Sequence, residues 1–181
     1  MSGKGGVGKS TVSVLLAKTF CQKGYKVGIL DADITGPSIP RLLNVNGQKV
    51  GSSEYGLLPV ETEQGIKVMS LNLLMPDEEQ PVIWRGPIIS TVVKQFWKDV
   101  YWGELDYLIV DMPPGTADVA LTVVQSIPIN GMVMVTTPQD MVSMIVAKAI
   151  NMAKTLNVPL IGVIENMSYI LCPKCGEKIK M

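Results

Sequence analysis

Gly3-Lys4-Gly5-Gly6-Val7-Gly8-Lys9-Ser10-Thr11 is the segment from which the architecture of this 181-residue chain follows. It matches G-x-x-x-x-G-K-[ST], the phosphate-binding loop, or P-loop, that joins a strand to a helix. Glycines in such a loop leave backbone N–H groups free to point at phosphate oxygens. The helix that we predict directly after the loop directs its positive N-terminal end at the same anion. The segment therefore predicts a nucleotide-binding α/β fold.

Three side chains of this loop have separate predicted roles. Lys9 places a positive charge near the β- and γ-phosphates of ATP, and the Ser10 hydroxyl is a ligand for Mg²⁺. Lys4, a second lysine inside the loop, is typical of the deviant Walker A class, in which it reaches the nucleotide of a partner subunit. We expect Lys4 and Lys9 to act in catalysis. The predicted ATP-binding residues of the loop are Gly3, Lys4, Gly5, Gly6, Val7, Gly8, Lys9, Ser10 and Thr11.

The composition restricts the class of protein. Hydrophobic residues make up 47% of the chain, which is enough to give a single domain over residues 1–181 a sizeable core. The 16 basic and 16 acidic residues cancel, so the net charge favours neither a nucleic-acid partner nor a polybasic membrane anchor. The three cysteines do not form a disulfide framework, and we expect a reduced, cytoplasmic protein without membrane partners. Because the chain has no histidine, proton transfer must use carboxylates, lysine or water.

Short apolar strands alternate with helices along the chain, which is the pattern of a parallel sheet with helices on both faces. Strands are predicted over 26–30, 66–71, 107–110, 132–135 and 160–164, and helices over 11–23, 87–102 and 142–156. Residues 44–65 are polar and glycine-rich, and we expect a loop with short strands there. The fold class that follows is an α/β P-loop NTPase with a mostly parallel sheet.

The two ends of the sequence differ from those of a complete P-loop domain. A strand normally precedes the loop, whereas only Met1 and Ser2 precede it here, and the sequence stops at Met181. We therefore expect a fragment that lacks the first strand and the C-terminal elements of the domain.

Aspartates follow two of the predicted strands, at the edge where parallel sheets bind their ligands. Asp31 and Asp33 follow Leu30, and Asp111 follows the apolar run that ends at Val110. We predict that Asp33 orients the attacking water, and that Asp31 supports the Mg²⁺ shell or caps a turn. Asp111 is expected to hold Mg²⁺, often through water, as the Walker B aspartate does.

Three further positions at strand ends are candidates for contact with the nucleotide. Gly115, within residues 113–116, can bring its N–H to the γ-phosphate and so sense ATP against ADP. Pro138 and Asn166 follow two successive strands, and the Asn166 amide can pair with the adenine edge. A structural turn is the alternative role at each of these positions.

Cys172 and Cys175 form a C-x-x-C pair, whose two thiolates can chelate one metal ion or cluster. A zinc or iron–sulfur site needs four thiolates, and Cys21, the third cysteine, is predicted to be a core residue on a helix. The missing ligands are therefore expected from a second copy across a two-fold axis. Thioredoxin-like redox chemistry is the alternative, although the pair does not begin a helix after an early strand.

Taken together, the motifs resemble those of the Mrp family of P-loop ATPases, the iron–sulfur cluster carriers that include ApbC-type bacterial proteins. The matching segments are residues 2–11, 30–38, 84–87, 106–116, 137–140 and 165–168, followed by Cys-Pro-Lys-Cys. The resemblance implies an ATP-binding and ATP-hydrolysing homodimer in which Cys172 and Cys175 of each subunit bridge a labile 4Fe–4S cluster. It also implies transfer of that cluster to recipient apoproteins.

Two other functions remain open at this point. A MinD- or ParA-like switch that dimerises on ATP would share the P-loop, Lys4 and the aspartates, but it would leave the cysteine pair without a role. It would also need an amphipathic tail or a basic face, and the sequence shows neither. The third candidate is a protein with a structural zinc knuckle, whose P-loop only binds nucleotide.

Overall fold

A computed structural model describes residues 2, 5–33, 36, 38–75, 86–113, 123–138 and 142–180. The chain forms two compact units, and each is described by itself. The first takes its described residues from 10–113 and 123–127, and the second from 2–9 and 128–180. The prediction that residues 1–181 form a single domain stays a prediction.

The first unit is built on a four-stranded sheet. Along the chain the elements are α1 (Lys9–Gln22), β1 (Val27–Asp31), α2 (Ile39–Leu42), β2 (Gly51–Ser53), β3 (Gly56–Leu58), β4 (Val60–Glu61), β5 (Lys67–Met69), a 3-10 turn (Leu71–Leu73), α3 (Gly86–Asp99) and β6 (Tyr107–Asp111). A short helical turn covers residues 123–126. The strand order is β4-β5-β1-β6, in which β1 runs parallel to β5 and β6, and β4 is antiparallel at the edge. Strands β2 and β3 form a separate antiparallel hairpin.

Helix α1 covers one face of this sheet. Its buried residues Val14 and Ala17 belong to the same hydrophobic cluster as Ile29 of β1. The helix ends at Gln22, and Gly24 closes its last turn, as predicted: its backbone takes a φ of +89° and its N–H bonds to the Cys21 carbonyl over 2.9 Å. Glycine adopts this left-handed conformation without the steric penalty that a Cβ would bring. The local sequence thus sets the length of the helix that follows the P-loop.

The second unit contains a parallel strand pair and a hairpin. Its elements are β7 (Met132–Thr136), α4 (Val142–Thr155), β8 (Leu160–Glu165), β9 (Tyr169–Leu171) and β10 (Lys178–Lys180). Strand β7 pairs in parallel with β8, and a parallel bridge joins Ser2 to Val135. Strands β9 and β10 pair with each other in an antiparallel hairpin that the sequence analysis did not predict. No helix in the described part of the chain is both long enough and apolar enough to cross a membrane.

Candidate functional site

Asp111, at the end of β6, accepts hydrogen bonds from two serines of α1. Ser10 Oγ donates to Asp111 Oδ2 over 2.6 Å, and Ser13 Oγ donates to Asp111 Oδ1 over 2.9 Å. The carboxylate is 1% exposed, so these bonds replace the water that it loses on folding. Ser13 was not singled out from the sequence. Its spacing of three residues from Ser10, which puts both hydroxyls on one helix face, is the signal that would have found it.

The Ser10 and Asp111 oxygens fit two neighbouring ligand positions of Mg²⁺. Mg²⁺ takes oxygen ligands at about 2.0–2.1 Å in an octahedron, so adjacent ligands lie about 2.9 Å apart. The observed separation of 2.6 Å needs to open by only a few tenths of an ångström. The arrangement therefore suits the predicted magnesium role of both residues, which stays a prediction.

Asp31 lies beside Asp111 in the register of β1 and β6, and its carboxylate caps a turn. Its Oδ1 accepts the Asp33 N–H over 3.1 Å, and its Oδ2 accepts the Ile39 N–H over 3.3 Å. Burial and, secondly, the charge of Asp111 raise the pKa of Asp31 to about 7, although the two N–H groups oppose this. Both oxygens are thus engaged in the turn, and a further role of Asp31 near Mg²⁺ stays a prediction.

Asp33 and Ser70 add two buried polar groups at the carboxyl ends of these strands. The side chain of Asp33 is buried and its N–H is held by Asp31, so its backbone position is defined; its role in orienting water stays a prediction. Leu30 pairs with Met69, and Asp31 and Ser70 are the residues that follow this last pair. Ser70 is fully buried, and its Oγ has no hydrogen-bond partner within the described part of the chain. A serine after a three-residue strand belongs to no motif, and the sequence analysis therefore missed it.

In the second unit, Asn166 holds the P-loop backbone. Its Nδ2 donates to the Val7 carbonyl over 3.0 Å, and its N–H donates to the Thr136 carbonyl over 2.8 Å. Gly8 has a φ of +82°, and a Cβ added there would collide with Asn166 Nδ2. The structure thus gives Asn166 a contact with the loop that the sequence did not predict. Its pairing with adenine stays a prediction.

The remaining predicted nucleotide residues divide between described and undescribed positions. Lys9 begins α1 and is buried, whereas Gly5, Gly6 and Thr11 are exposed and Pro138 is half-buried. Gly3, Lys4 and Gly115 lie outside the described residues, as do residues 84–85 and 139 of the segments that carry the family resemblance. The expected roles of Lys4 across a dimer and of Gly115 at the γ-phosphate stay predictions.

Cys172 and Cys175 lie in the turn that joins β9 to β10. The Cys172 N–H donates to the Glu177 carbonyl over 2.9 Å, and the Cys172 carbonyl accepts the Gly176 N–H over 2.8 Å. Cys172 is half-buried and Cys175 is exposed. The N–H groups of Cys175 and Lys174, together with the Cys175 thiol, lower the pKa of the Cys172 thiol. This favours the thiolate, which is the form that binds metal.

The cysteine pair supplies two ligands and no more within the part of the chain that the structure describes. There, no three thiol or carboxylate groups are arranged to hold a metal ion. Cys21 belongs to the first unit, where it packs against the hydrophobic core and its Sγ lies 2.8 Å from the Gln64 carbonyl. It is half-buried, so the predicted core position is correct for its packing but not for its degree of burial. The role of Cys172 and Cys175 as half of a four-thiolate site stays a prediction.

Comparison with known proteins places the chain in a family. All of residues 1–181 match the ParA family model that is described as NUBPL iron-transfer P-loop NTPase. The chain belongs to this family. The assignment agrees with the resemblance seen in the motifs, and it confirms the predicted P-loop NTPase fold.

Three relatives of the iron-transfer P-loop NTPase family illustrate the similarity. An iron–sulfur cluster carrier protein of Clostridium perfringens is 55% identical over 188 residues, which cover 100% of this chain and 66% of the relative. One of Methanocaldococcus jannaschii is 53% identical, with 99% and 62% covered. A solved structure, the nucleotide-binding protein of Archaeoglobus fulgidus in complex with ADP, is 48% identical with a TM-score of 0.89, covering 100% of this chain and 70% of that one. The chain thus spans about two thirds of the length of the curated relatives it matches.

Removing the Ser13 hydroxyl is expected to destabilise the chain by about 1–2 kcal/mol. In Ser13→Ala the Asp111 carboxylate loses a charge-assisted hydrogen bond and stays buried. Thr19→Ala is the matched control on the same helix, because the Thr19 hydroxyl bonds the Leu15 carbonyl at an exposed position. Urea unfolding followed by circular dichroism measures both. Equal losses of unfolding free energy in the two variants would show that the Ser13–Asp111 hydrogen bond stabilises the fold no more than the exposed bond from Thr19 to Leu15.

Asp31 is expected to make stability fall as pH rises towards 7. Its pKa is about 7 in the folded state and 3.8 when unperturbed, so between these values the folded chain holds a proton that the unfolded chain has lost. Folding is therefore favoured at the lower pH, and about 2 kcal/mol is lost between about pH 5.5 and 7. Urea unfolding in metal-free buffer should show this loss for the parent relative to Asp31→Asn. Parallel pH profiles of the two proteins would contradict it.

Proposed function

We propose that this chain is part of an ATP-dependent carrier of iron–sulfur clusters in the cytoplasm. It binds ATP with Mg²⁺ at the P-loop, hydrolyses it slowly, and holds a labile 4Fe–4S cluster between two copies of the chain. The cluster is the cargo, and apoproteins that need it are the recipients. The observation that carries the proposal is the pair of thiols, Cys172 and Cys175, at the tip of an exposed hairpin.

The hairpin suits a cargo site better than a structural one. A structural zinc knuckle closes four ligands around its ion, whereas the described residues of this chain supply two thiols. Cys175 is exposed, so a recipient thiol can reach the metal that it binds. The names of the relatives from Clostridium perfringens and Methanocaldococcus jannaschii support the same assignment.

ATP binding and hydrolysis are assigned to the charged and polar side chains of the P-loop and of the strand ends. Phosphoryl transfer requires mainly positioning of the reacting groups and neutralisation of the phosphate charge. We assign each of these tasks to a residue. Lys9 neutralises the phosphates, Ser10 and Asp111 hold Mg²⁺, Asp33 orients the water, and Lys4 acts on the nucleotide of the partner copy. The contact between Ser10 and Asp111 supports this assignment, because it brings together the two side chains that the ion would join.

Anaerobic reconstitution with iron and sulfide tests the proposal. We expect a broad absorption near roughly 400 nm and about four irons per dimer, as for one 4Fe–4S cluster held by four cysteines. Light scattering on the same sample should give the mass of two chains. Binding of zinc but not of a cluster would favour the structural knuckle, and a metal-free protein that dimerises on ATP would favour the MinD-like switch. Four irons on a monomer would overturn the shared site.

A further inference from the structure

Ser70 places a hydroxyl in the interior of the first unit. The residue is fully buried, and within the described part of the chain its Oγ has no hydrogen-bond partner. Ser70 begins the 3-10 turn Leu71–Leu73, where a serine often caps the first N–H groups, but its side chain makes no such bond. A hydroxyl that is taken out of water without a partner costs free energy. A role in catalysis or ligand binding is a common explanation for such a group.

The Ser70 side chain points to the sheet face that α1 covers. Its backbone is extended, with φ of −149° and ψ of 152°, so the alternation of side chains in β5 continues through Ser70. Val68, two residues earlier, lies in the same hydrophobic cluster as Val14 and Ala17 of α1. Residues two apart in a strand share a face. Ser70 therefore projects from the face of Val68, towards α1.

Two aspartates project from the same face. Asp111 accepts hydrogen bonds from Ser10 and Ser13, which are residues of α1. Asp31 is the register partner of Asp111 in the parallel pair of β1 and β6, and register partners share a face. The cluster with α1 leads to the same result, because it contains Ile29, two residues before Asp31. The Ser70 hydroxyl and both carboxylates thus lie on the α1 side of the sheet, at the carboxyl ends of its strands.

Ser70 and Asp31 are close enough for a hydrogen bond between their side chains. The last register pair of β1 and β5 is Leu30 with Met69, and both strands stay extended for one further residue. Neighbouring strands lie about 4.8 Å apart, so rotation about the Ser70 Cα–Cβ bond can bring the O–H to a carboxylate oxygen. Each Asp31 oxygen accepts one backbone N–H, and an ionised carboxylate has about four acceptor positions. Asp31 therefore has room for a third donor.

We propose that Ser70 is a positioning residue of the nucleotide site, whose hydroxyl donates to the Asp31 carboxylate when Mg²⁺ and nucleotide are bound. The inference rests on the proposed function, which puts the nucleotide at the carboxyl ends of these strands. The hydroxyl is already desolvated in the fold, so the new bond gains the free energy of a charge-assisted hydrogen bond without further loss of water. Two backbone N–H groups and Ser70 then hold Asp31 in one orientation beside Asp111.

Ser70→Ala is expected to weaken the binding of ADP with Mg²⁺ about tenfold, which corresponds to about 1.4 kcal/mol. The same change should leave the urea midpoint of the ligand-free chain unchanged or raise it, because an unpartnered donor is removed from the core. A hydroxyl with only a structural role, such as a bond to a buried water, gives the opposite pattern of a lower midpoint and unchanged binding. Isothermal titration and urea unfolding measure the two quantities.

Asp31→Asn tests whether Ser70 acts through this carboxylate. A charge-assisted hydrogen bond is roughly twice as strong as a neutral one, so Ser70→Ala should weaken binding only about threefold in the Asp31→Asn background. This comparison also decides the case in which Ser70→Ala lowers both the urea midpoint and the affinity. A general loosening of the fold would weaken binding by the same factor in both backgrounds.

Trp102→Phe is the matched control. Trp102 Nε1 is the other buried side-chain donor of this unit that has no partner among the described residues. Its ring lies beside Gly28, which is three residues before Asp31 on β1 and therefore about 10 Å from it. Removing this N–H should leave the binding of ADP with Mg²⁺ as in the parent.

Three results would overturn the inference: Ser70→Ala binds ADP with Mg²⁺ as tightly as the parent, its loss is undiminished in the Asp31→Asn background, or Trp102→Phe loses as much. In each case the proposed function stands and Ser70 is a core residue. If the parent itself binds no ADP, the proposed function fails and the inference fails with it.

Discussion

Cys172→Ser is expected to bind no iron after anaerobic reconstitution, and Cys175→Ser should behave in the same way. Each copy supplies two thiols, so either change leaves the dimer with two of the four ligands that a 4Fe–4S cluster needs. The hairpin should still fold, because the bonds of Cys172 to Glu177 and Gly176 use backbone atoms only. Iron analysis and the absorption near roughly 400 nm measure the loss.

Cys21→Ser is the control for this loss. Its Sγ lies against the Gln64 carbonyl, where a serine hydroxyl can donate in the same place, so the variant should keep the cluster and the dimer. ATP binding should survive all three changes, since none of the cysteines is predicted to touch phosphate. Loss of iron in Cys21→Ser, or retention of four irons per dimer in Cys172→Ser, would show that the cluster ligands are assigned wrongly.

Apolar strands and the first helix were predictable because their signals are local. The run that ends at Asp111 is apolar over a strand length, and the structure places β6 at Tyr107–Asp111. The P-loop predicted α1, and Gly24 predicted where the helix would stop. Pairing of Asp111 with Ser10 could be expected as well, because the sequence assigns both side chains to the same predicted Mg²⁺.

Other parts of the site depend on contacts that no local pattern encodes. Asn166 reaches Val7 across 159 residues of sequence, so its role in holding the loop is visible only in the folded chain. The cap that Asp31 forms on the Ile39 N–H depends on the course of the turn between them. Strands β9 and β10 have three residues each, which is too few for an alternation of apolar and polar residues to be distinguished from chance. The cysteine pair marked the place of the hairpin without predicting its strands.

Gly8→Ala is expected to lower the free energy of unfolding by about 2–3 kcal/mol, and Gly6→Ala by about 1–2 kcal/mol. Both glycines have a left-handed backbone, with φ of +82° and +80°, so each alanine costs about 1–2 kcal/mol in strain. A Cβ at position 6 meets nothing within 4 Å, whereas one at position 8 collides with Asn166. Gly8→Ala must therefore also displace the amide from the Val7 carbonyl, which costs about another 1 kcal/mol. The two costs of Gly8→Ala add to about 2–3 kcal/mol.

Urea unfolding measures the loss in each variant and separates its two causes. If the collision between the new Cβ and the Asn166 amide contributes, removing that amide should reduce the free energy that Gly8→Ala costs. The free energy of unfolding lost in Gly8→Ala should then shrink by about 1 kcal/mol in an Asn166→Ala background, towards the value for Gly6→Ala. The Asn166→Ala variant alone gives the reference for the lost hydrogen bond to Val7. An unchanged cost of Gly8→Ala in that background would mean that backbone strain alone requires glycine here, and that Asn166 does not shape the loop.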